Sequence, residues 1–228
     1  MDIGAIIYQI SIWIIPALLA ITLHEAAHGY AALKLGDDTA ARQGRVSFNP
    51  LKHIDPMGTV IIPGALLLLG APFLFGYAKP VPVNFGRLNN PRRDMIWVAL
   101  AGPGMNFLLA FIFALAFHLL PLVPAGTEHW FASNFQNAII LNVVLGVFNL
   151  LPLPPLDGGR VAVGILPDSL AIPLARLERY GFLILIGVIF ILPMLTRQLG
   201  AEVDPLNWLF NGPIAYVVKF IANLAGLV

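Results

Sequence analysis

The chain has 228 residues, of which 58% are hydrophobic and only 11% charged. Its mean hydropathy is +0.83. Soluble domains carry about 25% charged residues, so composition excludes an ordinary soluble globule and indicates an all-α polytopic membrane protein. A net charge of +1 gives no reason to expect a nucleic-acid partner. The absence of cysteine excludes a disulfide framework, a thiolate metal site and a Cys nucleophile.

The N-terminus has no basic leader region and no evident cleavage site, so no removable signal peptide is expected. There is no internal repeat. A single integral-membrane domain over 1–228 is expected, with about five to six transmembrane helices. The first apolar run, 3–35, exceeds the roughly 20 residues that a span requires. Residues 36–59 are polar, with a candidate short strand at Val46, Ser47 and Phe48. The next run, 60–78, is apolar but broken by Pro63, Gly64, Gly70, Pro72 and Gly76. It reads as a re-entrant or interfacial hairpin, with a simple span as the competing reading. Residues 79–84 look extended, because residues before proline avoid helical backbone. A strong span follows at 95–120, then a loop at 121–133 and a span at 134–151. Arg160, Arg176, Glu178 and Arg179 read as a charged loop. A further span at 181–195 and a weaker apolar run at 206–228 complete the chain.

The first run carries His24-Glu25-Ala26-Ala27-His28. Residues four apart share a helix face, so two imidazoles can reach one metal. Glu25 lies beside them and can reach a metal-bound water without being a ligand. This is the spacing of zinc peptidases, in which zinc acidifies a water and the carboxylate takes its proton. Ionisable groups inside a membrane segment are costly, and their default reading is functional. At about 1.5 Å per residue, the site lies roughly 10–15 Å below the boundary marked by Lys34.

Two further stretches stand out. Gly102-Pro103-Gly104-Met105-Asn106 allows close helix contact, and Asn106 needs a polar partner in the bilayer. Asn106 reads equally as a packing position or as a substrate-facing one. Asn149-Leu150-Leu151-Pro152-Leu153-Pro154-Pro155-Leu156-Asp157-Gly158-Gly159-Arg160 cannot continue a helix through its prolines. Asp157 then supplies the third ligand that the first motif lacks. It also reads as an N-cap for residues 160–166, and the two roles are compatible. Asn149 suits an oxyanion or a substrate carbonyl, or a tie on the broken backbone. His53 and Asp55 are possible neighbours of the cleft, against the blander reading of turn caps.

The three motifs together resemble the site-2 protease family of intramembrane zinc metalloproteases, in a short form without PDZ or CBS domains. The motif-bearing core covers about 10–166, with C-terminal helices over 171–228. The resemblance implies one Zn²⁺ per chain on His24, His28 and Asp157, with Glu25 as the base. It maps the family's second motif onto Gly102 and Asn106, and the asparagine of its third onto Asn149. It implies cleavage within or near transmembrane segments of membrane-protein substrates. A zinc transporter and an inactive helix-binding relative are the competing classes. Eight of the 13 Lys and Arg lie from Lys34 to Arg93, and none lies in 121–133. The positive-inside rule places 34–59, 79–94 and 160–179 in the cytosol of a cell-membrane protein, with the site nearer the cytosolic side.

Overall fold

The computed structural model describes residues 3–62, 65, 79–201 and 203–228, apart from the side chains of 59 and 60. Helix α1, Ile3–Lys34, is 32 residues long. At 1.5 Å per residue that is about 48 Å, well beyond a bilayer's hydrocarbon thickness. Gly36 ends it at φ 107°, a left-handed cap that only glycine adopts at little cost. The Asp37 N–H then turns back to the Ala32 carbonyl at 2.9 Å. Helix α2, Pro91–Leu122, starts with proline in its first turn, where a missing N–H costs nothing. The Asp94 carboxylate reaches back to the Asn90 N–H at 2.8 Å. Helix α3 is Glu128–Asn149, and a broken loop leads into the short α4, Asp157–Ile165. Helix α5, Asp168–Gln198, is long and apolar. Residues 205–224 form a last helical stretch, α6.

Helices α1, α2 and α3 pack on one another through small residues. Ala20, Ala26, Ala32, Ala99, Ala110, Ala114 and Ala138 are all buried to within 1% exposure. In lipid there is little hydrophobic drive between helices, so close approach of small residues supplies the packing. Large apolar side chains such as Ile7, Trp97, Phe182 and Leu183 point outward instead. Only 6% of the most apolar window of α5 is buried, against 22–33% for α1 to α3. Helix α5 is therefore peripheral. Helix α6 packs Leu209, Ile214 and Ile221 against Ala110, Ile139 and Val143.

Side-chain and backbone links define two faces. Tyr8 near the start of α1 meets His129 near the start of α3 at 2.7 Å. At the other face, Leu35 O accepts from Asn89 N at 2.8 Å, and Asp38 pairs with Arg87 at 3.0 Å. Lys79 N donates to His53 O at 2.9 Å, and Arg45 donates to Lys79 O at 2.7 Å. Residues 35–53 and 79–94 thus share one face. Most of the run 60–78 lies outside the described residues, and with it the expected hairpin.

Four helices, α1, α2, α3 and α5, are long and apolar enough to cross a membrane among the described residues. Some local expectations are corrected. Val46, Ser47 and Phe48 form no strand, and they pair in no ladder with the described residues. Helix α3 starts at Glu128 rather than 134, since Glu128 suits a first turn electrostatically. The charged stretch 160–179 is not a loop. It is helical over Asp157–Ile165 and Asp168–Arg176, with Arg160 and Arg176 directed to partners or solvent.

Candidate metal centre

Helix α1 places His24 and His28 one turn apart, with ring centroids 4.6 Å apart and planes at 84°. Both rings are held from behind. His24 Nδ1 donates to Asn106 Oδ1 at 2.5 Å, and His28 Nδ1 donates to Val98 O at 2.7 Å. Each acceptor is a carbonyl oxygen, which cannot donate. The tautomer is thereby set, and both neutral Nε2 atoms turn lone pairs to the same point. Those nitrogens are 3.0 Å apart.

Asp157 comes from another part of the chain. Prolines 152, 154 and 155 interrupt the helix after Asn149, and the Pro154–Pro155 peptide is cis. The loop folds back on the first turn of α4. A Cβ at Gly158 would lie 2.2 Å from Leu150 O, and one at Gly159 would lie 2.2 Å from Pro154 N. Only glycine permits this approach. It brings Asp157 Oδ2 to 3.3 Å from both His24 Nε2 and His28 Nε2. Leu156, not Asp157, occupies the N-cap position of α4. The Asp157 side chain is thus directed at the imidazoles and not at the helix.

The residues present fit a zinc ion. Asp157 Oδ2 is buried and has no hydrogen-bond donor among the described residues. Ligands on a tetrahedral zinc at about 2.0–2.1 Å stand roughly 3.3 Å from one another, which is close to the spacing here. His24, His28 and Asp157 are the only such group among the described residues. Gly102 completes the cradle. A Cβ there would lie 2.3 Å from His28 Nε2 and 2.6 Å from His24 Cε1.

Glu25 lies beside the three, and its Oε2 accepts from the Val81 N–H at 2.7 Å. The extended segment 79–84 that supplies this donor is tied down at both ends, by Arg45 on Lys79 O and by Asp37 on Asn84 N at 2.6 Å. A cavity of about 290 Å³ opens here. Glu25, Asn149, Val81, Phe85 and Arg160 line it together with the three candidate ligands. The Arg160 guanidinium lies 5.0 Å over the Phe85 ring and 3.3 Å from Glu178 Oε1.

The other expected site residues separate. Asn149 borders the cavity, and its Nδ2 donates to Leu145 O at 3.0 Å. Asn106 is fully buried behind His24 and does not line the cavity. His53 is buried, with Nε2 donating to Ser47 O at 2.8 Å. Asp55 Oδ1 accepts from Gly58 N at 2.8 Å, as a cap on the turn from Pro56. Neither His53 nor Asp55 lines the cavity. His118 donates to Ala225 O, and His129 meets Tyr8. Sequence reasoning missed Val81, Phe85 and Arg160, which share a cavity only through tertiary contact. It also missed Asn142, whose signal was a polar side chain in the middle of an apolar span.

Fold and site together define a multi-pass membrane metallohydrolase. A sequence profile described as Peptidase family M50 matches residues 123–193. The chain is 41% identical over 209 residues to "Putative zinc metalloprotease YwhC" of Bacillus subtilis (strain 168), covering 87% of this chain and 90% of that one. It is 31% identical over 225 residues to "Putative zinc metalloprotease Rip2" of Mycolicibacterium smegmatis, covering 95% and 79%. It is 27% identical over 163 residues to "Zinc metalloprotease RasP" of Bacillus licheniformis, covering 71% and 32%. No solved structure matches. The chain belongs to Peptidase family M50 and is a zinc metalloprotease.

Proposed function

We propose that this metalloprotease is an endopeptidase that cuts peptide bonds within or next to transmembrane segments of membrane-protein substrates. His24, His28 and Asp157 hold one zinc ion, and Glu25 is the general base. The observation that carries this reading is the convergence of two Nε2 lone pairs and an otherwise unsatisfied carboxylate oxygen inside apolar helices. Bound zinc supplies an acidified water and a Lewis acid for the scissile carbonyl.

The protein's own residues do the rest. The Val81 N–H holds one oxygen of Glu25 and steadies the carboxylate at the cavity wall. There it can accept a proton and pass it to the leaving amine. The amide of Asn149 borders the same cavity and offers a hydrogen bond to the substrate carbonyl. Peptide bonds in a transmembrane helix are hidden by their own hydrogen bonds, so a substrate unwinds before it reaches Glu25. Extended backbone near the site, in 79–84, suits an unwound strand, whereas the proline-rich stretch 152–156 is not extended but turned, with Leu156 N donating to Leu153 O at 3.0 Å. The site lies nearer the cytosolic side of the cell membrane, and 1–228 acts as one peptidase domain with its core over about 10–166. A transporter is less well supported, because His53, His118 and His129 are engaged elsewhere.

The test uses proteoliposomes holding the full chain and a candidate substrate with one transmembrane helix. Cleavage mapped to the apolar segment, lost in Glu25→Gln, is the expected result. Cleavage confined to soluble peptides would refute the intramembrane assignment.

A further inference from the structure

Behind His24 runs a chain of buried amides that ends on a different helix. Asn106 on α2 accepts from His24 Nδ1. Asn106 Nδ2 donates to Asn142 Oδ1 on α3 at 2.8 Å and to Ala20 O at 3.3 Å. Asn142 Nδ2 donates to Ala138 O at 2.8 Å. Asn106 and Asn142 are both 0% exposed. Asn142 does not line the catalytic cavity, so it cannot meet substrate there.

The polarity of this chain has one consistent solution. Ala138 O and Ala20 O are backbone carbonyls and accept only. Ala138 O draws the NH₂ of Asn142, which turns the Asn142 carbonyl toward Asn106. That carbonyl in turn draws the NH₂ of Asn106, which turns the Asn106 carbonyl toward His24. His24 must then carry its proton on Nδ1 and present a free lone pair on Nε2, the atom 3.3 Å from Asp157. A flipped Asn106 would set its NH₂ against the His24 N–H. The ring would answer by moving its proton to Nε2, which would leave no lone pair on the atom that faces Asp157. In a membrane interior no water stands by to repair a lost partner.

We propose that Asn142 is a positioning residue for His24. Acting through Asn106, it holds the imidazole in the tautomer and orientation that bind zinc. This rests on the reading of His24 as a zinc ligand. Outer hydrogen-bond partners of metal-binding histidines typically affect metal affinity by about 10–100-fold. Asn142 acts one step further out, and Ala20 O keeps a weaker hold on Asn106. The lower end, about tenfold, is therefore expected.

The test is zinc affinity of the detergent-solubilised full chain, by competition with a chromophoric chelator. Asn142→Leu keeps the branching at Cγ and deletes the acceptor, with a somewhat larger and apolar side chain. It should weaken zinc binding about tenfold, with helix content and thermal unfolding close to wild type. Asn142→Asp should stay near wild type. Its protonated carboxyl can donate to Ala138 O and accept from Asn106, and its ionised form also accepts from Asn106. Asn106→Leu should weaken binding at least as much as Asn142→Leu, and the double variant no further than Asn106→Leu alone. Wild-type affinity in Asn142→Leu, or losses that multiply in the double variant, would overturn the proposal. If Asn142→Leu does not fold, Asn142→Ser, too short to reach Asn106, replaces it under the same criteria. A purely structural role would lower stability without moving zinc affinity. A wild-type chain without zinc affinity would instead overturn the ligand assignment beneath the proposal.

Discussion

Glu25 and His24 are neighbours in sequence, but their substitutions should separate cleanly. Glu25→Gln should retain zinc, because the side chain is not among the converging ligand atoms. It should lose nearly all cleavage, since an amide cannot accept the proton. His24→Ala should lose both zinc and cleavage. Metal content by mass spectrometry beside a cleavage assay checks the pair, and full activity in Glu25→Gln would refute the base assignment. Gly102 gives a sharper case. Alanine improves helix propensity by about 1 kcal/mol, so Gly102→Ala should not destabilise α2 by itself. Its Cβ, however, would fall 2.3 Å from His28 Nε2. Neither ring can retreat without losing Val98 O or Asn106. Zinc affinity should fall about 100-fold, at the upper end for a disturbed ligand shell, while the helical signal persists. Chelator competition and circular dichroism read the two effects.

At the scale of elements, the extended segment 79–84 is attached to α1 through Asp37. This carboxylate is 0% exposed and accepts from Asn84 N, Thr39 N and the Thr39 hydroxyl. Burial pushes the Asp37 carboxyl up. The Thr39 hydroxyl, the Asn84 and Thr39 N–H groups and the Arg87 charge outweigh it and hold it below the ordinary carboxylate value. A depressed carboxylate stabilises the fold fully above its unfolded pKa of about 3.9, and that contribution is lost as pH falls through the folded value. Asp37→Asn should therefore destabilise the protein by about 1–3 kcal/mol at neutral pH. The gap to wild type should stay constant above about pH 5 and close below about pH 4. Unfolding midpoints of both proteins across that range give the measurement. A gap that widens on acidification would contradict the sign. Because the same segment carries the Val81 N–H, Asp37→Asn should also loosen the hold on Glu25.

At the scale of the whole molecule, the two faces of the helix bundle differ in charge. Arg42, Arg45, Lys52, Lys79, Arg87, Arg92 and Arg93 lie in the stretches that share one face, and 121–133 at the other has no Lys or Arg. By the positive-inside rule the first face is predicted to be cytosolic. The chain has no cysteine, so single cysteines report without background. Lys52→Cys and Arg87→Cys should both resist an impermeant thiol reagent in intact cells, and Ala125→Cys should react. Labelling of Arg87→Cys from outside, with Lys52→Cys protected, would split a face that the His53–Lys79 hydrogen bond holds together. It would also reverse the proposed entry of α2.

Much of this protein is legible in one dimension. Apolar runs and scarce charge determine a polytopic helical protein, because a bilayer leaves the backbone no other open solution. The spacing of His24 and His28 determines a shared face, because the helix repeat is local. The prolines after Asn149 determine that a helix breaks. Local rules end there. That Asp157 returns to 3.3 Å from both imidazoles depends on Gly158 and Gly159 admitting the loop backbone, and on α2 and α3 standing side by side. The same packing decided Asn106: the sequence left it between packing and substrate contact, and burial against α1 and α3 turned it toward His24. Glu25 meeting the Val81 N–H joins residues 56 apart, and Asn142 reaches His24 only through a third helix. Hydrophobic pattern specifies which segments enter the membrane. Close contact between small residues specifies which polar groups meet inside it, and no periodicity in the sequence encodes that meeting.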